Sequence, residues 1–198
     1  MLRHFRLLLL VCTILNHAAL VRAADTLISY GSIWQYDDTG SDLGTEWRAV
    51  DFDASGWAAG PAQLGYGDGD ETTVISYGPK SDRKYPCYYF RHAFTVSDPA
   101  TIGDVTLSIV RDDGCVVYLN GTEVARSNLP TGTISYGTYA LSAVGGTEES
   151  TPYGFDVDPG LMVAGTNVIA VEIHQSSGTS SDVSFDLELM SEPPPAPV

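Results

Sequence analysis

Acidic residues next to glycines form three clusters in this sequence, and these clusters are its best candidates for chemistry. They are Asp51-Phe52-Asp53, Asp68-Gly69-Asp70-Glu71 and Asp112-Asp113-Gly114. Ca²⁺ takes roughly six to eight hard oxygen ligands from carboxylates on a bendable backbone, which such loops supply. An EF-hand beginning at Asp51 would have Ala62 where its last carboxylate belongs. We therefore predict calcium at Asp68, Asp70 and Glu71, with a solvated acidic loop as the alternative.

Catalytic motifs are missing from the sequence. After residue 23 the chain has two histidines, His92 and His174, and neither lies in an H-E-x-x-H motif. There is also no G-x-S-x-G nucleophile elbow. With 25 acidic residues, some carboxylate pairs arise by chance, so no glycosidase dyad is predicted. We expect a chain that is not an enzyme, with any catalytic partner domain outside it.

The net charge excludes one class of partner. The 198 residues contain 25 acidic and 10 basic side chains, a formal charge of −15. Such a surface repels phosphate backbones, so we expect no nucleic-acid partner.

The first 23 residues have the pattern of a secretory signal peptide. Arg3 and Arg6 precede an apolar run over 7–15, and Ala23 follows at a small-residue cleavage site. The run is shorter than the roughly 20 residues that cross a bilayer, which disfavours the alternative of an uncleaved anchor. We expect a secreted or extracellular protein, including the periplasm and cell surface, with no membrane span in the mature chain.

Cleavage after residue 23 would leave two cysteines. Cys87 and Cys115 would then lie in an oxidising compartment, and an even pair there predicts a disulfide. Two buried free thiols are the alternative. Cleavage also removes three of the ten basic residues and makes the charge −18.

Alternating hydrophobicity predicts strands throughout the rest of the chain. In 183–189 the apolar residues fall on every second position, and 105–111 alternates in the same way. The segments 88–96 and 167–174 are apolar or aromatic and suit buried strands. Asn120-Gly121 between two apolar runs predicts a tight hairpin. These features indicate an all-β protein, a jelly-roll β-sandwich over 24–190, followed by a Pro-rich linker or tail at 191–198.

Four segments in one order carry a resemblance to a known family. They are WRAVDFDASGW, YYFRHAFTV, VRDDGCVVYLNGTEVAR and FDVDPGLMVAGTNVIAVEIHQ. The chain from 47 to 190 resembles the galactose-binding-like β-sandwich, including the sugar-binding domain of β-galactosidase-type glycosidases. It is also similar to modules that precede metallophosphoesterase domains in secreted bacterial proteins. The resemblance implies a galactose-binding-domain-like fold that often holds a structural calcium.

The resemblance also suggests carbohydrate-binding residues. Asp112 and Asp113 resemble the aspartate pair of protective-antigen-type lectin domains, and a turn held by their own hydrogen bonds is the alternative. His174 and Gln175 begin the loop that faces the active site in β-galactosidase-type domains, or they simply form a polar strand end. Tyr136, or else Tyr139, would add a face on which a sugar ring stacks.

The sequence thus predicts a secreted, non-catalytic, carbohydrate-binding-like accessory module that calcium stabilises. Its expected partners are a glycan or polysaccharide and a fused or associated hydrolase. Two alternatives stay open: a structural spacer or adhesion domain without a sugar site, and the N-terminal part of a secreted hydrolase such as a metallophosphoesterase.

Overall fold

The computed structural model describes residues 24–195, so the predicted signal peptide and the last three residues of the tail lie outside the described residues. The described part contains twelve strands and four single-turn 3-10 helices. The strands are β1 (Asp25–Ile28), β2 (Ile33–Asp37), β3 (Ala58–Pro61), β4 (Leu64–Tyr66), β5 (Thr73–Val74), β6 (Cys87–Val96), β7 (Val105–Asp112), β8 (Gly114–Leu119), β9 (Thr122–Ser127), β10 (Tyr153–Val157), β11 (Gly165–His174) and β12 (Val183–Ser191). The 3-10 helices are Glu46–Arg48, Pro99–Thr101, Gly146–Glu148 and Pro159–Leu161. Among these described residues no helix has the length and apolarity needed to cross a membrane.

The strands form two six-stranded sheets. Sheet I has the order β10-β7-β12-β4-β5, and β1 pairs with β12 along the edge that β4 also uses. Sheet II has the order β3-β2-β6-β11-β8-β9. The pairs are antiparallel except for β4 with β5. The prediction of an all-β sandwich is confirmed.

The core between the sheets follows the predicted alternation. Val183, Phe185, Leu187 and Leu189 of β12 are fully buried and belong to the main hydrophobic core. Their neighbours in β12 point to the outer face of sheet I, because successive side chains of a strand alternate. Strand β11 lies between β6 and β8 and is buried from residue 167 to its end, as its apolar sequence predicts.

Loops cover the outer face of sheet II and make a second hydrophobic cluster there. Trp47 is fully buried against Tyr89 and Tyr118, with ring centroids 4.8 and 5.9 Å away. Its indole nitrogen donates a hydrogen bond to the Gly44 carbonyl at 3.1 Å. Beneath this loop Arg91 donates to the carbonyls of Trp47 and Ala49. This face of sheet II is therefore interior, although it lies outside the sandwich.

The predicted hairpin is also confirmed. Strands β8 and β9 are joined by Asn120 and Gly121, whose φ angles of 51° and 84° are those a two-residue type I′ turn needs. The Asn120 side chain accepts a hydrogen bond from the Val168 backbone and donates one to Asn167, each shorter than 3.0 Å.

The predicted disulfide is wrong, since Cys87 and Cys115 are free thiols in the described residues 24–195. In the register of sheet II, Cys87 of β6 lies opposite His174 of β11, and Cys115 of β8 lies opposite Ile173 of the same strand. Strand β11 therefore lies between the two cysteines. Two strand spacings are about 10 Å, well beyond the span of a disulfide. The side chains also face opposite ways, Cys115 into the main core and Cys87 into the outer cluster. The strand order that separates them cannot be read from cysteine counting.

Candidate functional site

The residues predicted to bind carbohydrate meet at the end of the sandwich where β7 and β11 end. Asp112, Asp113, His174 and Gln175 are all buried, each with 0% exposed surface. Tyr136 is partly buried and packs against the outer cluster of sheet II. The structure therefore brings the predicted residues together, but the four polar side chains do not reach a solvent-borne sugar directly.

Asp113 holds two loops in place. Its carboxylate accepts hydrogen bonds from the Val144 and Ser176 backbones, both at 2.6 Å, and from the Ser180 hydroxyl at 3.1 Å. These donors belong to the segment before the 146–148 helix and to the segment between β11 and β12. A buried carboxylate with three donors is a well-satisfied structural group. Asp113 therefore positions the loops at this end of the sandwich.

His174 belongs to a buried polar group that we call the Glu172 network: Cys87, Glu172, His174, Tyr118 and Arg48. Nδ1 of His174 lies 2.7 Å from the Thr138 carbonyl, and because a carbonyl only accepts, Nδ1 is the donor. Nε2 lies 3.3 Å from a Glu172 oxygen and 3.6 Å from the Cys87 sulfur. The Glu172 carboxylate also accepts from the Tyr118 hydroxyl at 2.6 Å and from Arg48 at 3.2 Å.

The partners of Glu172 decide its charge. Burial raises the pKa of the Glu172 carboxyl, but His174, Tyr118 and Arg48 together outweigh burial and hold the pKa below its usual value. Burial also raises the pKa of the Cys87 thiol well above its usual value, so it stays protonated. Ligand atoms of Cys87, Glu172 and His174 lie within 4.8 Å of one another, a spacing that a metal ion could use. Each of the three already has a protein partner.

Gln175 joins the same end of the sandwich to two neighbouring segments. Its side-chain nitrogen donates to the Tyr66 hydroxyl and to the Asp182 carbonyl. Its backbone carbonyl accepts a 2.9 Å hydrogen bond from Ala140. Gln175 and His174 therefore fix the 138–140 segment, which explains their burial.

A small cavity opens on the outer face of sheet I, and acidic side chains surround it. The cavity has a volume of about 170 Å³. Its lining residues are Gln63, Asp68, Asp70, Gly146, Glu149, Ser150 and Ser184. Carboxylate oxygens of Asp68, Glu149 and Asp182 lie within 4.8 Å of one another here. We call Asp68, Glu149, Asp182 and the neighbouring Asp112 the acid pocket.

The trio predicted to bind calcium is also brought together, beside this pocket. Oxygens of Asp68, Asp70 and Glu71 lie within 4.8 Å of one another. The Glu71 carboxylate, however, accepts hydrogen bonds from the backbones of Asp68 and Gly69 at 2.9 and 3.0 Å, so it closes its own loop. Glu149 and Asp182 were not among the predicted ligands. No spacing pattern links them to Asp68, since they lie about 80 and 110 residues further along the chain.

Asp112 is the unusual member of the acid pocket. It pairs with Ser184 across β7 and β12, so both side chains project from the same face of sheet I. The Ser184 hydroxyl donates to Asp68 at 3.2 Å. Among residues 24–195, neither carboxylate oxygen of Asp112 has a hydrogen-bond partner. Burial raises the pKa of Asp112 to about 9, followed by the charge of Asp113, by a side-chain contact with the Asp113 carboxylate that is a hydrogen bond only when a proton is present, and by the charges of Asp182 and Glu149.

The surface at this end of the molecule carries exposed aromatic rings. Tyr77 and Tyr139 expose 41% and 44% of their surface. The Lys84 ammonium lies 5.6 Å from the Tyr77 ring, and the Lys84 backbone donates to the Gly178 carbonyl at 2.8 Å. A Cβ atom placed on Gly178 would lie 3.6 Å from the Tyr139 hydroxyl. We call Tyr77, Lys84, Gly178 and Tyr139 the tyrosine surface.

The solved structures that this chain resembles include glycosidases. The chain is similar to a β-glycosidase from Bacteroides vulgatus (14% identity, TM-score 0.53), and the match covers 84% of this chain and 20% of that one. A β-glucuronidase from Bacteroides uniformis has 14% identity and a TM-score of 0.57, covering 85% and 18%. One from Ruminococcus gnavus, in complex with D-glucuronic acid, has 12% identity and a TM-score of 0.54, covering 88% and 30%. No family model and no curated protein sequence matches the chain.

These likenesses show the fold, a β-sandwich of the kind found within glycosidases. The chain spans less than a third of the length of each of those three proteins. The match therefore corresponds to one part of each of those three chains.

Proposed function

We propose that this protein is a secreted, non-catalytic accessory module of the glycosidase-associated kind, and that it contacts carbohydrate through the tyrosine surface. The observation that carries the proposal is the coverage of the structural likeness. The sandwich accounts for most of this chain but for only 18–30% of three glycosidase chains. This coverage supports the role of a component that accompanies a catalytic domain.

The placement of the reactive side chains supports a non-catalytic role. A nucleophile or general base must reach its substrate, yet Cys87 and His174 are buried within the Glu172 network. His92 is engaged as well, since its Nδ1 lies 2.9 Å from the Ile33 carbonyl and its ring packs on Trp34. In the described part of the chain, His92, His174 and Cys87 are thus used in packing and hydrogen bonds.

The tyrosine surface supports a weak contact with sugar. Aromatic rings offer a flat apolar face with a polar hydroxyl at the edge, which matches the alternating apolar and polar faces of a pyranose ring. Among the described residues, Tyr77 and Tyr139 are the exposed tyrosines at this end, and the Lys84 ammonium lies beside the Tyr77 ring while it donates to the carbonyls of Ser180 and Ser181. The buried residues predicted from the sequence act beneath this surface, since His174 and Gln175 hold the segment that carries Tyr139.

Affinity electrophoresis on a panel of polysaccharides tests the sugar contact. We expect at least one polysaccharide to retard the protein, and Tyr77→Ala or Tyr139→Ala to abolish the retardation. Tyr30→Ala is the matched control, because Tyr30 is a comparably exposed tyrosine bonded to Ser108 on sheet I. Migration unchanged on the whole panel would overturn the contact and favour a spacer or adhesion domain, to which the burial of Asp112, Asp113, His174 and Gln175 already lends support.

Assays with chromogenic glycosides and phosphate esters test the non-catalytic role. We expect no turnover by the purified chain, and turnover that survives repurification of the protein would contradict the proposal. A hydrolase domain in the same or the adjacent reading frame would support the proposed partner. Mass measurement of the exported protein would show whether residues 1–23 are removed.

A further inference from the structure

Three buried side chains of different chemistry meet on the outer side of sheet II. Cys87 begins β6 opposite His174, and Glu172 lies two residues before His174 in β11, so all three project from the same face of the sheet. Cys87, Glu172 and His174 expose 2%, 1% and 0% of their surface. One ligand atom of each lies within 4.8 Å of the other two. Thiol, carboxylate and imidazole are the three kinds of side chain that bind Zn²⁺ in proteins.

The hydrogen bond made by His174 leaves its second ring nitrogen without a proton. Nδ1 donates to the Thr138 carbonyl at 2.7 Å, so Nε2 of the neutral ring carries a lone pair. That lone pair faces Oε2 of the Glu172 carboxylate at 3.3 Å. Two acceptor atoms in contact repel each other unless a proton or a cation lies between them. The contact between His174 and Glu172 therefore needs a compensating partner.

The hydrogen bonds of Glu172 are concentrated on the other oxygen of its carboxylate. Oε1 accepts from the Tyr118 hydroxyl at 2.6 Å and from Arg48 at 3.2 Å, whereas Oε2 is the oxygen that faces His174. Metal ligands in proteins have this arrangement, because hydrogen bonds on the far side orient the histidine and the carboxylate and leave the near atoms for the ion.

The distances within the trio match those between the ligands of one tetrahedral zinc ion. For Zn–N and Zn–O bonds of about 2.0 Å and a Zn–S bond of about 2.3 Å, tetrahedral angles separate N from O by about 3.3 Å and N from S by about 3.5 Å. Nε2 of His174 lies 3.3 Å from Oε2 of Glu172 and 3.6 Å from Sγ of Cys87. A direct hydrogen bond from an imidazolium to a carboxylate is shorter, about 2.7–2.9 Å.

We propose that Cys87, Glu172 and His174 bind one Zn²⁺ ion through Sγ, Oε2 and Nε2, with a water molecule in the fourth position. On binding, the Cys87 thiol releases its proton to solvent and the resulting thiolate bonds the metal, because a coordinating thiol is deprotonated. The ion joins β6 to β11 and, through the hydrogen bond from His174 to Thr138, stabilises the loop that covers this face.

This site differs in chemistry from the calcium loop predicted from the sequence. A sulfur and a nitrogen ligand suit Zn²⁺, whereas Ca²⁺ takes oxygen ligands. The proposal also goes beyond the sugar contact, because none of the three ligands belongs to the tyrosine surface. Its test measures metal and uses no polysaccharide, so the two proposals can fail separately.

Metal analysis of the untagged exported protein, stripped with EDTA and then dialysed against ZnCl₂, tests the proposal. We expect one Zn²⁺ ion per chain. Cys87→Ser and His174→Gln should each weaken zinc binding by about a hundredfold or more, since loss of even an outer partner of a ligand costs about 10–100-fold. Cys115→Ser and His92→Gln make the same chemical changes outside the trio and should retain the affinity of the wild type.

Substitution with Co²⁺ keeps the test decisive if Cys87→Ser does not fold. Cobalt bound to a thiolate gives a charge-transfer band, and a band in both the wild type and Cys115→Ser would assign the sulfur ligand to Cys87. The proposal is overturned if the wild type retains no zinc, if cobalt gives no such band, if the band disappears in Cys115→Ser, or if a folded Cys87→Ser keeps the zinc affinity of the wild type. The compensating partner of Nε2 would then be the hydrogen of the Cys87 thiol.

Discussion

The outer faces of the two sheets each bury a carboxylate, and they treat it in opposite ways. On sheet II, Glu172 has Tyr118, Arg48 and His174 within 3.3 Å, and they hold its pKa below the usual value despite burial. On sheet I, Asp112 is equally buried but has no hydrogen-bond partner in the described residues, and its pKa is raised to about 9. The difference teaches that the partners of a buried carboxyl group, and not its burial alone, decide the direction in which its pKa moves.

The largest change in the free energy of unfolding is expected for Glu172, the buried carboxylate that has hydrogen-bond partners. Glu172→Gln removes the charge that compensates Arg48 and bonds His174, so it should lower the free energy of unfolding by about 3 kcal/mol. Urea denaturation measures the loss. Glu123→Gln in the exposed pair with Arg126 is the control and should cost less than about 1 kcal/mol. Equal losses in the two variants would show that the Glu172 network is not special.

Asp113 provides the next test, because it is the satisfied neighbour of Asp112. Asp113→Ala leaves the Val144 and Ser176 amides without their acceptor and should lower the free energy of unfolding by about 2 kcal/mol. Hydrogen exchange should also become faster in the 141–145 and 175–181 segments. Unchanged exchange there would contradict the role of Asp113 as the residue that holds both loops.

Asp112→Asn should act in the opposite direction. The substitution removes a buried carboxyl group whose charged form burial and the like charges of Asp113, Asp182 and Glu149 disfavour, and it should raise the free energy of unfolding by about 1 kcal/mol. The measurement is urea denaturation in EDTA beside Asp113→Ala. Destabilisation of the same size in both variants would mean that Asp112 has partners in solution.

The smallest expected effect is the change in the stability contribution of Glu172 at acidic pH. Because the folded-state pKa of Glu172 is lowered, its contribution to stability is present above the unfolded value of 4.5 and is lost as the pH falls through the folded-state pKa. The stability difference between the wild type and Glu172→Gln should therefore narrow below pH 4.5. Denaturation curves of both proteins between pH 7 and 3 test this. A constant difference would show that the carboxylate keeps an ordinary pKa.

Much of the fold could be predicted from local patterns. The alternation in β12 and the Asn120-Gly121 turn are properties of neighbouring residues, and both are confirmed. The burial of His174 depends instead on Trp47 and the 128–140 segment folding over sheet II, a long-range arrangement. Strand order likewise decides that Cys87 and Cys115 cannot meet.

The members of the acid pocket, likewise, could be predicted from local sequence patterns only in part. Asp68 is visible in an acidic run, whereas Glu149 and Asp182 become its neighbours only through the fold. The sequence predicted hard-oxygen chemistry near residue 68, and long-range packing determines which carboxylates converge there.

The pairing of β1 with β12 bears on how such a domain can be connected to others. Asp25 lies opposite Ser191, so the described chain enters and leaves the sandwich about 5 Å apart. Val183, at the opposite end of β12, lies about 26 Å away, next to the acid pocket. A circular permutant that bridges 25 and 191 with a few glycines should therefore be feasible, and the domain is suited to insertion within a loop of a host protein with its acidic end projecting outward.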